Sequence, residues 1–342
     1  MRQLRCGIIG CGRIGCSFDD YTKNKTIRTH AGAYFKNHTT KLVALCDIDK
    51  DKLQKYGKKF KVTGIYTNSS EMFRSEHLDC VSICTLPDSH LDLVKEAASH
   101  GIKGIFLEKP MSNSLSNAKK IIEICKKNKI TLAIDHQRRF DPFYYSVKKN
   151  IKQSKIGKIQ LVNLYYGAGI ANTCSHVFDV LRMFFGEVES VSGNFSTNES
   201  GNKLDPNIDA VLKFKNGIIS KLNSIDVRNY GILEMDIFGT TGRIKLNLAT
   251  NTLEYFKTSR EDVLVYKNLV LSNINVKRSH QSAITLGVKN LVRCIQTKNE
   301  PLCTGEDGYK SMELILACIQ SSIERKEVSL SLLHNDYKIN SK

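Results

Sequence analysis

The run Leu4 to Ile9 ends on Gly10-Cys11-Gly12-Arg13-Ile14-Gly15, and this junction constrains the fold more than any other segment. A short apolar run reads as a buried strand. Glycines in the pattern GxGxxG after a strand read as a tight turn opening a helix, where the backbone can approach a pyrophosphate. Alone the pattern is weak, because glycine triplets occur in many loops; the preceding strand gives it weight. The same texture continues through Lys41 to Cys46, Cys80 to Cys84, Gly104 to Leu107 and Thr131 to Ile134. Helical patterns separate these runs. One has Asp88 as N-cap and ends at Gly101; another starts near Ser114, with Leu115, Ala118, Ile121, Ile122 and Cys125 at helical spacing. Strands alternating with helices pair in parallel through crossover helices, which predicts a doubly wound sheet.

Near residue 136 the pattern changes. Asp141-Pro142 is a helix start, with Asp as cap and Pro at the first helical position. Strands dominate after it: Lys158 to Tyr166, then a helix from about Ser175 to Phe185 ended by Gly186, then hairpin-like runs to about Tyr266. Asn216-Gly217 predicts a two-residue turn, and Gly239 to Gly242 marks another. Two late helices are expected near Ser282 to Thr297 and Gly305 to Arg325. The fold class is therefore α/β. Residues 1–135 form a Rossmann-type dinucleotide-binding domain. Residues 136–342 are expected to form an α/β domain on a mostly antiparallel sheet, whose last helices can pack back on the first domain.

The 342 residues suffice for two cores. The net charge of +17 raises the question of a polyanionic partner. The lysines are spread along helices, as at Lys119, Lys120, Lys126, Lys127 and Lys129, without a basic tail or a basic–aromatic repeat. Solvated helix faces explain them, so no nucleic-acid partner is expected, while an anionic small substrate fits. No apolar run is long enough to span a bilayer, and Met1 to Gly10 lacks a cleavage-site pattern, so a cytoplasmic protein is expected. There are 11 cysteines. The even spacing of Cys6, Cys11 and Cys16 fits no common zinc pattern, so reduced thiols and no metal are expected.

The acid expected at the end of the second strand is Asp47, whose carboxylate would accept from the adenosine ribose hydroxyls and repel a 2′-phosphate. This favours NAD, while Arg13 or a nearby lysine leaves NADP open. The polar stretch Phe18 to Thr29 lengthens the usual spacing to this acid and reads as an inserted loop, with a cofactor lid as one role for it.

At Glu108-Lys109-Pro110 an apolar strand runs into a distinctive signature. The chain here resembles the Gfo/Idh/MocA oxidoreductase family. Thr85-Leu86-Pro87-Asp88-Ser89-His90 is similar to that family's Thr-x-Pro-Asn-x-x-His segment, with Asp88 in place of the usual Asn. Arg138-Arg139-Phe140-Asp141-Pro142, Ser175-His176-Val177-Phe178-Asp179, Gly239-Thr240-Thr241-Gly242 and Gly305-Glu306-Asp307-Gly308 follow in the family's order. The resemblance implies hydride transfer between NAD(P) and a sugar, cyclitol or nucleotide-sugar carbon, in a homodimer or homotetramer. It assigns Gly10, Gly12, Arg13, Ile14, Gly15, Asp47, Thr85, Pro87, His90, Glu108 and Lys109 to the cofactor. It assigns Arg138, Arg139, Tyr165, Asn172 and His176 to the substrate.

Hydride leaves a carbinol carbon only as its hydroxyl proton is removed, so a cation and a base must face that oxygen. Lys109, at the C-terminal end of a parallel strand, can stabilise developing alkoxide charge. His176 is the general-base candidate, because an imidazole titrates near neutral pH. It lies beside the apolar stripe of Val177, Val180, Leu181 and Phe184, so a buried structural histidine is the competing reading. Asn172 stands where the family often has an acid four positions earlier; it can hold a hydroxyl but share no proton. Of Arg138 and Arg139, one suits a carboxylate or phosphate and the other a structural ion pair. Strand alternation sends one of Tyr165 and Tyr166 inward. A non-catalytic dinucleotide- or sugar-sensing regulator on this fold is the alternative, but it would not need Lys109 and His176 together.

Overall fold

The computed structural model describes residues 2–21, 26–263, 266–331 and 337–339; residues 22–25 of the expected insertion lie outside them. The chain divides into two compact units, 1–141 with 279–310, and 142–278 with 311–342.

The first unit is built on β1 (Leu4–Ile9), β2 (Thr40–Cys46), β3 (Gly64–Tyr66), β4 (Cys80–Ile83), β5 (Gly104–Leu107) and β6 (Thr131–Ile134). All pair in parallel in the order β3-β2-β1-β4-β5-β6. The order reverses between β1 and β4, the switch point at which doubly wound sheets bind ligands. β4 and β5 are buried at every position, as expected of strands covered on both faces. The sequence pattern did not signal β3, a three-residue edge strand too short for an apolar run.

Its helices are α1 (His30–Lys36), α2 (Lys50–Phe60), α3 (Ser69–Ser75), α4 (Pro87–Ser99) and α5 (Leu115–Lys127). Side chains close their first turns: Asp49 accepts from the N–H of Asp51 and Lys52, Asn68 from Ser70 and Glu71, and Ser114 from Asn117. One expected cap differs. α4 starts two residues earlier, with Leu86 as N-cap and Pro87 at the first helical position, because Pro has the right φ and no N–H to leave unpaired. Asp88 instead lies in the first turn, where its charge faces the positive end of the helix.

The second unit has helices α6 (Pro142–Lys152) and α7 (Cys174–Phe185). Its strands are β7 (Ile159–Tyr166), β8 (Val188–Phe195), β9 (Ile208–Phe214), β10 (Ile219–Ser224), β11 (Glu234–Gly239), β12 (Gly242–Asn247), β13 (Thr252–Val263), β14 (Tyr266–Ser272) and β15 (Val328–Ser329). They form one sheet in the order β14-β13-β12-β11-β7-β10-β9-β8-β15, antiparallel except for β7 with β10. Burial alternates along β7, β9 and β12, so one face carries the core. Rings of α6 and α7 pack there: Tyr144 stacks on Phe184 at 6.4 Å, and Phe185 meets Phe214 of β9 edge-on at 5.9 Å. The turn at Thr240-Thr241 has two residues, as read. The turn at Asn216-Gly217 has three. Phe214 N–H bonds the Ile218 carbonyl and Gly217 N–H the Phe214 carbonyl, with Gly217 at φ +83°, so an extra residue is absorbed in the left-handed conformation.

Two helices remain, α8 (Ala283–Thr297) and α9 (Gly305–Glu324). α8 belongs to the first unit and lies on β5 and β6, close enough that a Cβ on Gly104 would sit 2.3 Å from Ile295. Among the described residues no helix is long and apolar enough to cross a membrane.

Tyr166 is the inward member of the tyrosine pair. Its hydroxyl accepts the Ile208 N–H (2.7 Å) and donates to the Ile208 carbonyl (2.8 Å), closing the start of β9, and burial pushes its ionisation up. Tyr166→Phe strands both backbone groups in the core and should cost about 1–3 kcal/mol in urea unfolding.

Candidate functional site

Strand register sets the site. Ile9 pairs with Cys46 on one side and Ile83 on the other; Ile83 pairs with Leu107 and Leu107 with Ile134. Because the strands are parallel, the residues that follow this row emerge along one edge: Gly10, Asp47, Cys84-Thr85, Glu108-Lys109 and Asp135-His136. The glycine turn, Asp47, the segment from Thr85 and Glu108-Lys109 therefore all fall on the carboxyl edge of the sheet, where open α/β folds bind ligands.

The glycine turn is shaped by close approach. Gly10 has φ +95°, and a Cβ there would lie 2.7 Å from the Cys84 carbonyl oxygen; one on Gly15 would lie 1.9 Å from the Gly10 carbonyl oxygen. Gly12 differs: a Cβ on it meets nothing within 4 Å, so its missing side chain leaves room on the open side of the turn. That room fits a pyrophosphate held by backbone N–H groups. Arg13–Ser17, which includes Ile14, forms a wide helical turn with Cys16 and Ser17 N–H on the Gly12 carbonyl, and the Arg13 guanidinium lies over the Phe18 ring at 4.9 Å. The inserted segment separates this turn from α1. Asp47 is fixed at both oxygens, accepting from Cys11 N–H (2.6 Å) and Asp49 N–H (2.9 Å). A carboxylate held there suits ribose hydroxyls and opposes a 2′-phosphate.

Thr85 hydrogen-bonds Ser89 Oγ (2.7 Å), and Pro87 opens α4. His90 is fully buried, its ring nitrogens facing the carbonyls of Thr85 (3.1 Å) and Met111 (3.3 Å). Burial drives its pKa down to about 4, so the ring is neutral, and its place is to tie the turn after β4 to the segment after Pro110. The Lys109–Pro110 peptide is cis. Lys109 itself is half-buried, and its N–H bonds Glu108 Oε2 (3.3 Å).

Beneath this segment lies a group that sequence reading missed. His30 Nε2 is 2.9 Å from Glu108 Oε1 and 3.3 Å from Asp135 Oδ2, and all three side chains are buried. Burial alone would lower the His30 pKa, but its neighbours outweigh that and hold it well above the ordinary value. Cys84 contributes formally, yet burial pushes its own thiol up, so Asp135 carries most of the attraction at neutral pH, with Glu108 itself pushed up to about 7. Glu108 is driven up by burial and by the Asp135 charge; Asp135 is held low by His30 despite burial. The sequence signal was thin: Asp135 follows β6 as Asp47 follows β2, but the insertion detaches His30 from the glycine turn.

In the second unit, His176 lies half-buried in the first turn of α7, with its N–H on the Thr173 carbonyl (3.2 Å). Asn172 is exposed just before it. A buried acid shapes this loop: Asp205 accepts from Ala171 and Asn172 N–H, both at 2.8 Å, against Gly169 at φ +85°. Asp205 holds these backbone N–H groups from far along the chain and had no motif to mark it. Tyr165 faces the side of β7 opposite Tyr166. In the first unit, Arg139 pairs with Asp307 at 2.9 Å. Arg138 precedes it in the same short turn, half-buried.

Comparisons with known proteins agree with this architecture. A family model described as "Oxidoreductase family, NAD-binding Rossmann fold" matches residues 4–136, and its companion, "Oxidoreductase family, C-terminal alpha/beta domain", matches residues 165–330. A myo-inositol 2-dehydrogenase of Thermotoga maritima is 26% identical, spanning 96% of this chain and 98% of that protein. A scyllo-inositol 2-dehydrogenase (NAD(+)) of Bacillus subtilis is 25% identical, over 93% of this chain and 94% of its own. The crystal structure of an oxidoreductase from Agrobacterium radiobacter with NAD+, L-tartaric acid and magnesium superposes with a TM-score of 0.79 at 20% identity, over 97% and 100% of the two chains.

Two substitutions test the geometry. Gly12→Ala has space for its methyl and an ordinary φ of −71°, so its melting temperature should stay within about 2 °C of wild type while NAD affinity in calorimetric titration falls at least about tenfold. Gly15→Ala should lose stability instead, by about 1–3 kcal/mol. For His90 the folded pKa lies below the unfolded value of about 6.5, so its contribution is complete above that pH and declines as pH falls toward about 4. His90→Gln lacks this titration. Its stability deficit in urea should therefore shrink by about 2 kcal/mol between pH 7 and pH 4.5.

Proposed function

Because the chain belongs to the Gfo/Idh/MocA oxidoreductase family, with that family's NAD-binding Rossmann fold, we propose that it moves a hydride between NAD and a carbinol or keto carbon of a polyhydroxylated small molecule: a sugar, cyclitol, sugar phosphate or nucleotide sugar. The observation that carries the reading is the single register row that puts Lys109 on the same sheet edge as the glycine cradle and Asp47. The inositol dehydrogenases among the relatives support a cyclitol- or sugar-sized substrate.

The open space at Gly12 and the fixed Asp47 carboxylate suit NAD, which when bound supplies the acceptor for the hydride. Gly10, Gly12 and Gly15 cradle the pyrophosphate, and Asp47 takes the adenosine ribose. In the oxidative direction His176 accepts the hydroxyl proton as the carbon–hydrogen bond breaks with its electron pair and the carbonyl forms. Lys109 donates to the reacting oxygen and stabilises its developing charge. Asn172 holds a neighbouring hydroxyl and moves no proton. One of Arg138 and Arg139 meets an anionic substituent through its guanidinium, and Arg139 also pairs with Asp307. All 11 cysteines are unbridged, which suits a reducing cytoplasm. Tyr266 and Leu271, 81% and 70% exposed on β14, support self-association through the nine-stranded sheet as a homodimer or homotetramer.

The test is absorbance at the reduced-nicotinamide band, with NAD and NADP against inositols, sugars, sugar phosphates and nucleotide sugars. Turnover should favour NAD and fall at least about 100-fold in Lys109→Ala and in His176→Ala. Tight NAD binding without turnover on any of them would contradict the reading.

A further inference from the structure

His30 is the first residue of α1, and nothing in the hydride-transfer scheme uses it. Its surroundings are unusual for a packing residue. Nε2 faces two carboxylate oxygens, Glu108 Oε1 at 2.9 Å and Asp135 Oδ2 at 3.3 Å, and Nδ1 faces Ser82 Oγ at 2.9 Å. Ser82 gives its own proton to Tyr34 Oη (3.0 Å), so Ser82 Oγ accepts from Nδ1. An acceptor at Nδ1 and two carboxyl oxygens at Nε2 form a setting that favours the ring protonated at both nitrogens. Phe106 meets it edge-on at 4.8 Å, and Cys84 lies beside it from the turn after β4. These groups come from α1, from β4 and β5, and from the turns after β4, β5 and β6.

A buried ion triad costs desolvation that an apolar cluster of similar volume would not. Packing alone therefore does not account for placing one directly under a catalytic segment. Glu108 supplies the link: one oxygen receives His30, and the other receives the backbone N–H of Lys109 (3.3 Å). The opposite end is anchored as well. Thr29 caps α1 by accepting Gly32 N–H at 3.0 Å, and Asp19 of the inserted segment accepts from Thr29 Oγ and Arg28 N–H, each at 2.5 Å. A continuous set of bonds thus runs from the insertion through α1 to the lysine peptide.

We infer that His30 is a positioning residue for Lys109: it clamps Glu108 and Asp135, at the ends of neighbouring strands β5 and β6, and through Glu108 fixes the peptide that carries the lysine. The inference rests on the reading of Lys109 as the group that meets the substrate oxygen. It assigns the insertion a part in the same clamp.

The experiment uses His30→Gln, which keeps an N–H donor without the charge, in the full-length protein. Trace acetylation with acetic anhydride, read by peptide mass spectrometry, compares the reactivity of Lys109 with that of Lys119 and Lys126 in the same sample. The Lys109 rate should change at least threefold while the reference lysines do not. An unchanged Lys109 rate in a folded variant overturns the clamp. In the turnover assay kcat should fall 10- to 100-fold with KM for NAD within about threefold; parallel loss of NAD binding and melting temperature would mark a merely structural role and overturn it. Should the variant not fold, the ¹⁵N spectrum of wild-type histidines decides: His30 should remain an imidazolium at pH 8, and a neutral ring there overturns the proposal. Retained turnover in Lys109→Ala would remove the role given to the lysine but would leave the acetylation and ¹⁵N results on His30 as they stand, so the two failures are distinguishable.

Discussion

Parallel pairing gives all six strands of the first unit the same direction, and most of the chemistry depends on that. In an antiparallel sheet of the same order, the turns after β2 and β4, with Asp47 and Thr85, would have emerged at the edge opposite Gly10. Here the hydrogen-bonded row from Cys46 through Ile9, Ile83 and Leu107 to Ile134 delivers five turns side by side. The turns are short and polar, and the strands beneath them are buried on both faces, so the frame is rigid where the site needs it. The carbonyl row also shapes the cradle: Gly10 comes so close to Cys84 that the glycine is dictated by the neighbouring strand as much as by a ligand.

The interior just below that edge is charged, which is rare for a core. Three ionisable groups share one site, and their pKa values move in the directions that a single buried cation between two acids requires. His90, one turn away in the same unit, shows the contrary case: with only carbonyls around it, burial wins and the ring stays neutral. Two histidines equally hidden from water thus carry opposite charge states because of what faces them.

Much of the first unit was legible from local pattern. β1, β5 and β6 lie where the apolar runs put them, and Ser114 and Ser282 cap the helices expected of them. Asp47 and Glu108 were readable because each follows a strand in a motif. His30 was not, since twelve inserted residues, 18–29, separate it from the glycine turn and its partners are 78 and 105 positions away in sequence. Asp205 was hidden for a related reason: it works on backbone N–H groups more than 30 residues away, which leave no trace in side-chain pattern. The turn at Asn216-Gly217 was placed correctly but given one residue too few, because the same dipeptide serves loops of either length. Local chemistry identifies elements; only contacts across long separations assign their partners.

The first unit takes back residues 279–310 after the chain has left it for some 140 residues. α8 covers β5 and β6, its Gly287 packed within Cβ-contact distance of Phe106 and Phe140. On the ribosome, the parallel sheet is thus synthesised long before the helix that shields one of its faces. Until Thr297 has emerged, Phe106 and its neighbours lack the full cover of α8, and the half-made sheet presents apolar surface to any other nascent chain. The order of synthesis, rather than the final stability, sets when this fold is most exposed to misassembly, and a truncation anywhere before α8 would make that exposure permanent.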